Sequence, residues 1–290
     1  MKIKMNKQQI NEITTAMNNV VPRKSGLPVL GHIRFAVVDE NQLSVAATDL
    51  EQTLVLNVTP EKLECIGSDA PFLFPFDELK ELKRSMKKAD TVTLEPANDD
   101  GVSLTQSTPT GDLARFIPSM PVDEFPMDPE PMELVECDLA VFIPAFRNAA
   151  FSASSNETRL ALTGVYADPE KNVLVATDGR RMTTRELDAF PIQKDGIIPV
   201  TKTMMKTIPE SGIGRIGISG DDNGETFEIQ TENMRYVTKC VPGTYPNYNQ
   251  VVPGNLGDFR TTFQFTAADA DTLGTLLPHL KNDSDRTLFV

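Results

Sequence analysis

The chain has 290 residues, of which 40% are hydrophobic and 24% are charged, a composition typical of a globular protein. This length exceeds most single hydrophobic cores and predicts two or more domains of about 100–150 residues each. The sequence contains no run of about 18 apolar residues and no apolar N-terminal stretch of a signal peptide. We therefore expect a cytoplasmic protein without membrane contact.

The net charge of −13 argues against a nucleic-acid partner, because phosphate binding usually requires a basic surface. The 28 Lys and Arg residues could nevertheless line the inner wall of a ring that is acidic outside. Cys65, Cys137 and Cys240 are far apart and odd in number, which argues against a disulfide framework and a CxxC metal site. We expect three buried free thiols.

The first half of the chain begins with a predicted helix from about Asn6 to Asn19. Asn6 can cap this helix, and Ile10, Ile13 and Met17 belong to its apolar stripe. A strand-like run, a second helix and two further strands follow at Ile33–Val38, Phe76–Lys88, Thr91–Leu94 and Val102–Thr105, the last two separated by a turn at 98–101.

The second half follows a similar order. A helix is predicted near Ile143–Ser152, with Pro144 in its first turn, and a shorter helix near Thr201–Ile208. Strand-like segments lie at Leu160–Tyr166, Arg215–Ser219, Thr226–Gln230 and Tyr236–Cys240. Alternating strands with short turns indicate antiparallel sheets, so the predicted fold class is α+β.

An internal repeat relates the two halves. Ala47-Thr48-Asp49 and Ala176-Thr177-Asp178 each follow an apolar strand, and the two sequences lie 129 residues apart. A third repeat begins near Phe259, with a predicted helix at Thr266–Lys281, and the chain ends one strand later. We therefore expect domains at 1–130, 131–256 and 257–290, of which the last is incomplete.

Several landmarks along the chain carry a family resemblance. They are Leu27-Pro28-Val29-Leu30, Ala47-Thr48-Asp49-Leu50-Glu51, the stretch Phe151–Gly164, Ala176-Thr177-Asp178-Gly179-Arg180-Arg181-Met182 and Tyr245-Pro246-Asn247-Tyr248. In this order they resemble the bacterial DNA polymerase III beta subunits, the sliding clamps. The resemblance implies the DNA-clamp fold, with three similar domains per chain, two inner helices in each and antiparallel sheets outside.

The resemblance also implies a function. Two chains would join head to tail around duplex DNA, without enzymatic activity or a cofactor. A replicative polymerase, a clamp loader and repair proteins would bind through a short apolar peptide. The third domain would lack most of its length, so the chain is either a fragment or a short form. We favour a fragment, because Leu288-Phe289-Val290 would otherwise leave an open sheet edge.

Cations on the second predicted helix are candidates for DNA contacts. At about 100° per residue, Lys80, Lys83, Arg84 and Lys87 share one face, opposite Leu79, Leu82 and Met86. The alternative is a solvated surface helix with internal salt bridges. Lys202 and Lys206 occupy the matching helix of the second repeat, Arg147 lies on its other helix, and Lys24 stands where the family carries a basic DNA-contacting residue.

The family's peptide pocket implies a second group of site residues. The matching positions are Leu162, Thr177, Gly179, Arg180, Arg181, Met182, Pro246 and Val251. The apolar members would take Leu or Phe anchors of the peptide. Arg180 stands where the family often has His, and Gln250 where it often has Arg, so the preferred peptide could differ. Leu162 and Met182 could equally be ordinary core residues of a sheet domain.

Two other function classes remain open. An enzyme could use Asp178 beside Arg180 and Arg181, but a Thr-Asp pair that recurs at Thr48-Asp49 indicates a structural turn. His32 and His279 match no metal-ligand or catalytic spacing, and no P-loop or GxGxxG occurs. A clamp-derived interaction module that never encloses DNA is the second alternative, and two-domain subunits could also close as a trimer.

Overall fold

The structure is a computed structural model that describes residues 1–64, 70–97, 101–221, 224–250 and 266–276. It divides into two compact units, Met1–Tyr245 and Pro246–Val290. Across the described ranges, no helix has the length and apolar character needed to cross a membrane.

The first repeat starts with a strand that leads directly into a capped helix. The Asn6 side chain accepts a hydrogen bond from the Gln9 backbone N–H (3.0 Å), and the Gln9 side chain accepts one from the Asn6 N–H (2.8 Å). The elements are β1 Lys2–Asn6, α1 Lys7–Met17, β2 His32–Val37, β3 Leu43–Thr48, β4 Gln52–Val58, β5 Lys62–Glu64, β6 Phe72–Pro75, α2 Phe76–Ser85, β7 Thr91–Pro96, β8 Gly101–Thr108 and β9 Gly111–Pro118.

The second repeat has the same order of elements, except that β5 has no counterpart in its described residues. The elements are β10 Val135–Asp138, α3 Leu139–Ala150, β11 Gly164–Asp168, β12 Val173–Thr177, β13 Met182–Glu186, β14 Gly196–Pro199, α4 Lys202–Lys206, β15 Ile213–Asp221, β16 Gly224–Gln230 and β17 Met234–Lys239. A short 3-10 helix precedes β2 at Pro28–Gly31, and another precedes β11 at Glu157–Leu162. The internal repeat predicted from the sequence is therefore visible element by element.

Three antiparallel sheets support the helices. Their strand orders are β5-β1-β7-β8-β9, β10-β15-β16-β17-β4-β3-β2-β6 and β13-β12-β11-β14. The eight-stranded sheet takes four strands from each repeat, which join where β17 pairs with β4 and Tyr236 lies opposite Leu54. The predicted α+β class is confirmed, and the two repeats share one continuous sheet.

One large apolar core runs through both repeats. Its largest fully buried side chains include Phe35, Phe74, Phe142, Phe146 and Tyr236. Burial of each large apolar side chain contributes about 1.5–3 kcal/mol, so the core fixes the helices firmly against the sheets.

The second unit contains a short helical segment. A 3-10 turn covers Tyr248–Gln250, and α5 covers Ala267–Leu276. The Thr266 N–H donates to the Asp269 carboxylate (2.8 Å), and the Asp269 N–H donates to the Thr266 hydroxyl (3.3 Å). This reciprocal capping starts the helix predicted at Thr266–Lys281. The rest of that helix, Phe259 and the strand near Val290 lie outside the described residues.

Three predicted boundaries are wrong. Helix α2 ends at Ser85 rather than Lys88, because Met86 is extended and the Lys87 N–H donates to the Asp90 carboxylate (2.8 Å). Helix α3 begins at Leu139, where the Asp138 side chain caps the Ala140 N–H (2.9 Å), so Pro144 lies inside the helix and not in its first turn.

The third boundary concerns the strand-like run at Leu160–Tyr166. Its first residues belong to the 3-10 helix Glu157–Leu162, because the Asn156 side chain accepts a hydrogen bond from the Thr158 N–H (3.0 Å) and starts a turn there. The strand begins only at Gly164. Local capping by Asn and Asp therefore decides these boundaries.

The cysteine prediction is confirmed where the structure describes it. Cys137 and Cys240 are buried free thiols. Burial raises the pKa of Cys137 to about 11 and that of Cys240 to about 12, which keeps both thiols protonated and unreactive. Cys65 lies outside the described residues.

Candidate functional site

Four helices lie side by side and form one wall of the first unit. Lys83 on α2 donates to the Thr15 hydroxyl on α1 (2.9 Å). Asn19, just after α1, donates to the Thr207 hydroxyl at the end of α4 (2.9 Å). Arg147 on α3 donates to the Met204 carbonyl on α4 (3.1 Å). The wall therefore runs in the order α2, α1, α4, α3 across both repeats.

Helix α2 presents its cations on the exposed side of this wall. Leu79 and Leu82 are fully buried beneath it. Lys80 pairs with Asp77 and lies over the Phe76 ring, 5.1 Å from its centroid. This ion pair within the helix is what the alternative interpretation, a solvated surface helix, predicted for Lys80. Because Asp77 neutralises Lys80, the local positive charge comes from Lys83, Arg84 and Lys87. Lys87 lies beyond the end of the helix but is exposed.

Lys24 lies beside these α2 cations. The loop before β2 and the start of α2 enclose a cleft of about 210 Å³ whose lining includes Arg23, Lys24, Lys80, Asn18 and Phe76. The structure therefore brings together Lys24 and Lys80, two predicted DNA contacts that lie 56 residues apart in the sequence. Arg23 adds a third cation to the same cleft.

Helix α4 adds two exposed cations to the wall, Lys202 and Lys206. Lys206 lines an open groove of about 530 Å³ together with Gln8, Asn11 and Thr15 of α1. Glu12 lies in the same groove, so the wall is not uniformly basic. We call the exposed surface of Lys24, Lys80, Lys83, Arg84, Lys87, Lys202 and Lys206 the basic wall.

Arg147 has a different role from the other predicted cations. Its guanidinium donates to the carbonyls of Met204 (3.1 Å) and Ile208 (2.8 Å) and pairs with Glu210. Only 18% of its side chain is exposed. These bonds satisfy carbonyls at the C-terminal end of α4 and tie α3 to α4. A DNA contact by Arg147 stays a prediction, and we leave this residue out of the basic wall.

The second candidate site is built around a tight turn between β12 and β13. The Thr177 hydroxyl donates to the Arg181 carbonyl (2.6 Å) and accepts from the Gly179 N–H (3.0 Å). Asp178 accepts from the N–H groups of Arg180 (2.8 Å) and Arg181 (3.0 Å). Gly179 has φ of +87°, a left-handed conformation that favours glycine.

The first repeat contains the same turn. Thr48 donates to the Gln52 carbonyl (2.9 Å), and Asp49 accepts from the N–H groups of Glu51 (3.0 Å) and Gln52 (2.8 Å). Leu50 stands in the position of Gly179 with φ of +76°. The two aspartates thus have identical structural roles, which supports the turn interpretation of Asp178.

Both oxygens of the Asp178 carboxylate interact with donors of this turn. Hydrogen bonds from the Arg180 and Arg181 backbone N–H groups lower the pKa of Asp178. Its second oxygen pairs with the Arg181 side chain, with 3.2 Å between Nε and Oδ2. A carboxylate held ionised by these donors is a poor general base at neutral pH.

An aromatic pair lies next to the turn. Tyr166 on β11 stacks on Tyr245, with ring centroids 4.8 Å apart. Burial raises the pKa of Tyr245 to about 12, so its hydroxyl stays protonated. Leu162 is 9% exposed and lies at the end of the 3-10 helix that precedes β11.

The structure describes most of the predicted peptide-binding residues. Thr177, Gly179, Arg180, Arg181 and Met182 are consecutive members of the turn and the start of β13, and Leu162 lies at the end of the 3-10 helix before β11. Pro246 is the exposed first residue of the second unit, and Val251 lies outside the described residues. We call the described surface of Leu162, Thr177 and 179–182 the partner pocket.

Sequence reasoning missed two neighbours of the partner pocket. A Cβ atom added at Gly179 would lie 3.5 Å from Nη1 of Arg159, which places that guanidinium against the turn. The Arg181 guanidinium stacks on the Phe151 ring at 4.4 Å, and Phe151 is 70% exposed. A comparison of the two repeats could have found Arg159. The matching 3-10 helix of the first repeat, Pro28–Gly31, contains no charged residue, so the arginine is a difference between the repeats.

Metal ligation receives no support in the described part of the chain. No group of three or more His, Cys, Asp or Glu side chains there is arranged to hold a metal ion. The geometry instead provides a row of helices with exposed cations and a separate apolar and arginine-bearing surface.

Comparison with known proteins finds similarity to the bacterial sliding clamps. The family model described as the DNA polymerase III beta subunit, central domain, matches residues 137–247. The beta sliding clamp of Synechococcus elongatus is 24% identical over 264 residues, and the match covers 87% of this chain and 68% of that protein. The beta sliding clamp of Vibrio cholerae is 25% identical over 265 residues, with the same coverage.

Solved structures agree on the fold. The Helicobacter pylori beta clamp bound to a DNA ligase peptide has a TM-score of 0.71 at 20% identity and matches 88% of this chain and 69% of its own. A Pseudomonas aeruginosa sliding clamp bound to griselimycin has a TM-score of 0.73 at 20% identity, covering 88% and 68%. Residues 137–247 thus match the central domain of the DNA polymerase III beta subunits, and the likeness to solved sliding clamps confirms the predicted DNA-clamp fold.

Proposed function

We propose that this chain acts as a sliding clamp, which encircles duplex DNA and tethers the replicative polymerase and other replication and repair proteins. The observation that carries the proposal is the continuous wall of four helices across both repeats, with Arg84, Lys202 and Lys206 exposed and Lys83 half-buried on a protein of net charge −13. Segregated cations on one wall of an acidic protein attract the phosphate backbone to that wall, whereas the acidic surfaces elsewhere repel it.

The chemistry of the basic wall suits sliding rather than sequence reading. Its members are mostly lysines, which act as mobile point charges, whereas bidentate arginine contacts read guanine edges. Phosphate contacts carry no sequence information, so a wall of this kind can hold DNA at every position along the duplex. Processivity then follows from the high effective concentration of a tethered polymerase.

Ring formation is consistent with the way the repeats join. The closing strand of the second repeat, β17, pairs with β4 of the first. The corresponding edges at the ends of the described sheets are β9 and β13. A head-to-tail ring would use the same pairing between subunits that the chain uses within itself.

Partner binding is assigned to the partner pocket. The relative from Helicobacter pylori was solved with a DNA ligase peptide. We propose that polymerase, clamp loader and repair proteins each insert a short apolar peptide against Leu162 and Met182. We propose no catalytic role, because the oxygens of Asp178 are used by its own turn.

Two coarser assignments accompany this proposal. We place the domain boundaries at 130, between β9 and β10, and at 256, which lies outside the described residues. The protein would work in the bacterial cytoplasm, where DNA is replicated.

A topological experiment tests the proposal. The labelled protein is loaded by a bacterial clamp loader and ATP onto a nicked circular plasmid, and retention is measured before and after linearisation. A clamp stays on the circle and slides off the linear DNA. Retention on both forms would indicate an ordinary DNA-binding protein, and retention on neither would indicate an interaction module that never encloses DNA.

A charge-reversal variant connects the result to the basic wall. We expect Lys80, Lys83, Arg84 and Lys87 changed to Glu to abolish loading and leave the fold intact. The matched control reverses four cations on strands and loops of the sheets, namely Lys2, Lys62, Lys171 and Arg185. Unimpaired loading of the first variant would contradict the assignment of the basic wall.

A further inference from the structure

Three arginines surround the turn of the partner pocket. Arg180 and Arg181 belong to the turn itself, and Arg159 lies against Gly179 from the neighbouring 3-10 helix. We call these three residues the arginine rim. On a chain of net charge −13, a local excess of cations requires an explanation.

The rim contains more positive charge than the turn can neutralise. Asp178 uses one oxygen for the N–H groups of Arg180 and Arg181 and the other for the Arg181 side chain. Neither Arg159 nor Arg180 has a carboxylate within 4.0 Å in the parts of the chain that the structure describes. Two guanidinium groups are therefore available to a ligand.

The fold does not require these arginines. The first repeat builds the same turn with Glu51 and Gln52 in the positions of Arg180 and Arg181. Gln52 donates to Asp49 (3.0 Å) as Arg181 pairs with Asp178, so an uncharged side chain can perform the structural task. Because the turn forms equally well without arginine, the rim is better explained by binding than by stability.

The apolar part of the surface lies next to the rim. Phe151 is 70% exposed and touches the Arg181 guanidinium, and Leu160 is 51% exposed beside Arg159 in the chain. A peptide that places apolar anchors here brings its flanking residues to the guanidinium groups. Guanidinium pairs with carboxylate through two parallel N–H donors, a geometry that neutral side chains cannot match.

We propose that the arginine rim selects partner peptides that carry a carboxylate beside their apolar anchors, with Arg159 and Arg180 as the selecting residues. This inference rests on the proposed function, since it specifies which peptides the partner pocket prefers. The Arg181 guanidinium is already held by Asp178 and Phe151, so it is not one of the selecting residues.

Two fluorescein-labelled peptides test the proposal by fluorescence anisotropy. They share the same Leu and Phe anchors and differ at one flanking residue, which is Asp in one and Asn in the other. The 290-residue protein should bind the Asp peptide about three- to fivefold more tightly at low ionic strength. The difference should disappear at about 0.5 M NaCl, because salt screens exposed charges.

Variants assign the preference to named residues. Arg180→Glu copies the residue of the first repeat, and Arg180→Gln and Arg159→Gln remove charge with little change in shape. Each should reduce the preference, so that the affinities for the Asp and Asn peptides become more nearly equal. The matched control Arg185→Gln, on β13 beyond the turn, should keep the preference.

The outcomes separate this inference from the proposed function. Equal binding of the two peptides to the unmodified protein would overturn the acidic preference and leave the peptide pocket standing. Binding of neither peptide would overturn the pocket assignment itself, and the preference with it. An Arg180→Gln variant that melts several degrees lower but keeps the preference would show that Arg180 serves an internal contact, which also overturns the proposal.

Discussion

Gln52 joins the two repeats through several polar contacts. Its side-chain oxygen accepts hydrogen bonds from the hydroxyls of Thr203 (3.0 Å) and Tyr236 (3.1 Å), and its nitrogen donates to Asp49 (3.0 Å). Thr203 and Tyr236 are fully buried and belong to the second repeat. A buried network of this kind fixes one relative placement of the repeats, because any shift leaves hydroxyl groups unpaired.

We expect Gln52→Leu to lower the free energy of unfolding by about 2 kcal/mol, because the buried Thr203 hydroxyl loses its acceptor, whereas the Tyr236 hydroxyl keeps its bond to Thr201. Urea denaturation measures the change. The control is Gln8→Leu, since Gln8 is exposed on α1 and should cost less than about 0.5 kcal/mol. Equal losses in the two variants would show that the network contributes nothing to the junction.

At the scale of elements, most helices and strands could be predicted from local sequence. The capping residue Asn6 correctly predicted the start of α1. The alternation of Leu79 and Leu82 with the α2 cations correctly predicted which face of α2 is buried. The boundaries that failed depended on single capping side chains, Asp138 before α3 and Asp90 after α2. A hydrophobic pattern does not reveal which of several polar residues will cap a turn.

Arg147 shows what the helical pattern could not reveal at the candidate site. It lies on α3, but its partners Met204, Ile208 and Glu210 are 57 to 63 residues away in the sequence. Periodicity places a cation on a helix and says nothing about which carbonyls another helix will offer. The lysines of α4 lack such contacts in the described part of the chain and keep their predicted exposure.

This contrast between two cations gives a paired prediction. Arg147→Met should lower the free energy of unfolding by about 2 kcal/mol, because the α4 carbonyls lose charged donors. Lys206→Met should leave stability within about 0.5 kcal/mol but reduce the salt dependence of DNA binding by about one phosphate contact. Urea denaturation and DNA-binding isotherms at several salt concentrations measure both quantities. A weaker DNA affinity for Arg147→Met at unchanged stability would reverse the two assignments.

On the scale of the whole molecule, the continuous sheet is the feature that no local pattern predicts. The pairing of β17 with β4 brings Thr238 opposite Gln52, and the two strands belong to different repeats. The repeat in the sequence shows that two similar units exist, but the edges that join them depend on long-range contacts. The same argument applies to β9 and β13, which end their sheets in the described structure.

The β9 edge exposes apolar side chains, with Leu113 57% exposed and Phe116 54% exposed. Since an open strand edge with apolar residues is a pairing surface, we expect the protein to self-associate through β9 in a concentration-dependent way. Light scattering across a range of concentrations measures the native mass. Leu113→Asp combined with Phe116→Asp should yield a monomer with an unchanged fold.

The matched control places the same charges on exposed apolar residues away from β9. Val38 is 52% exposed and Met127 is 88% exposed, and Val38→Asp combined with Met127→Asp should keep the association. If association survives the Leu113 and Phe116 changes, β9 is not the contact between subunits. If the unmodified protein is monomeric at every concentration, the β9 edge alone does not hold two subunits together.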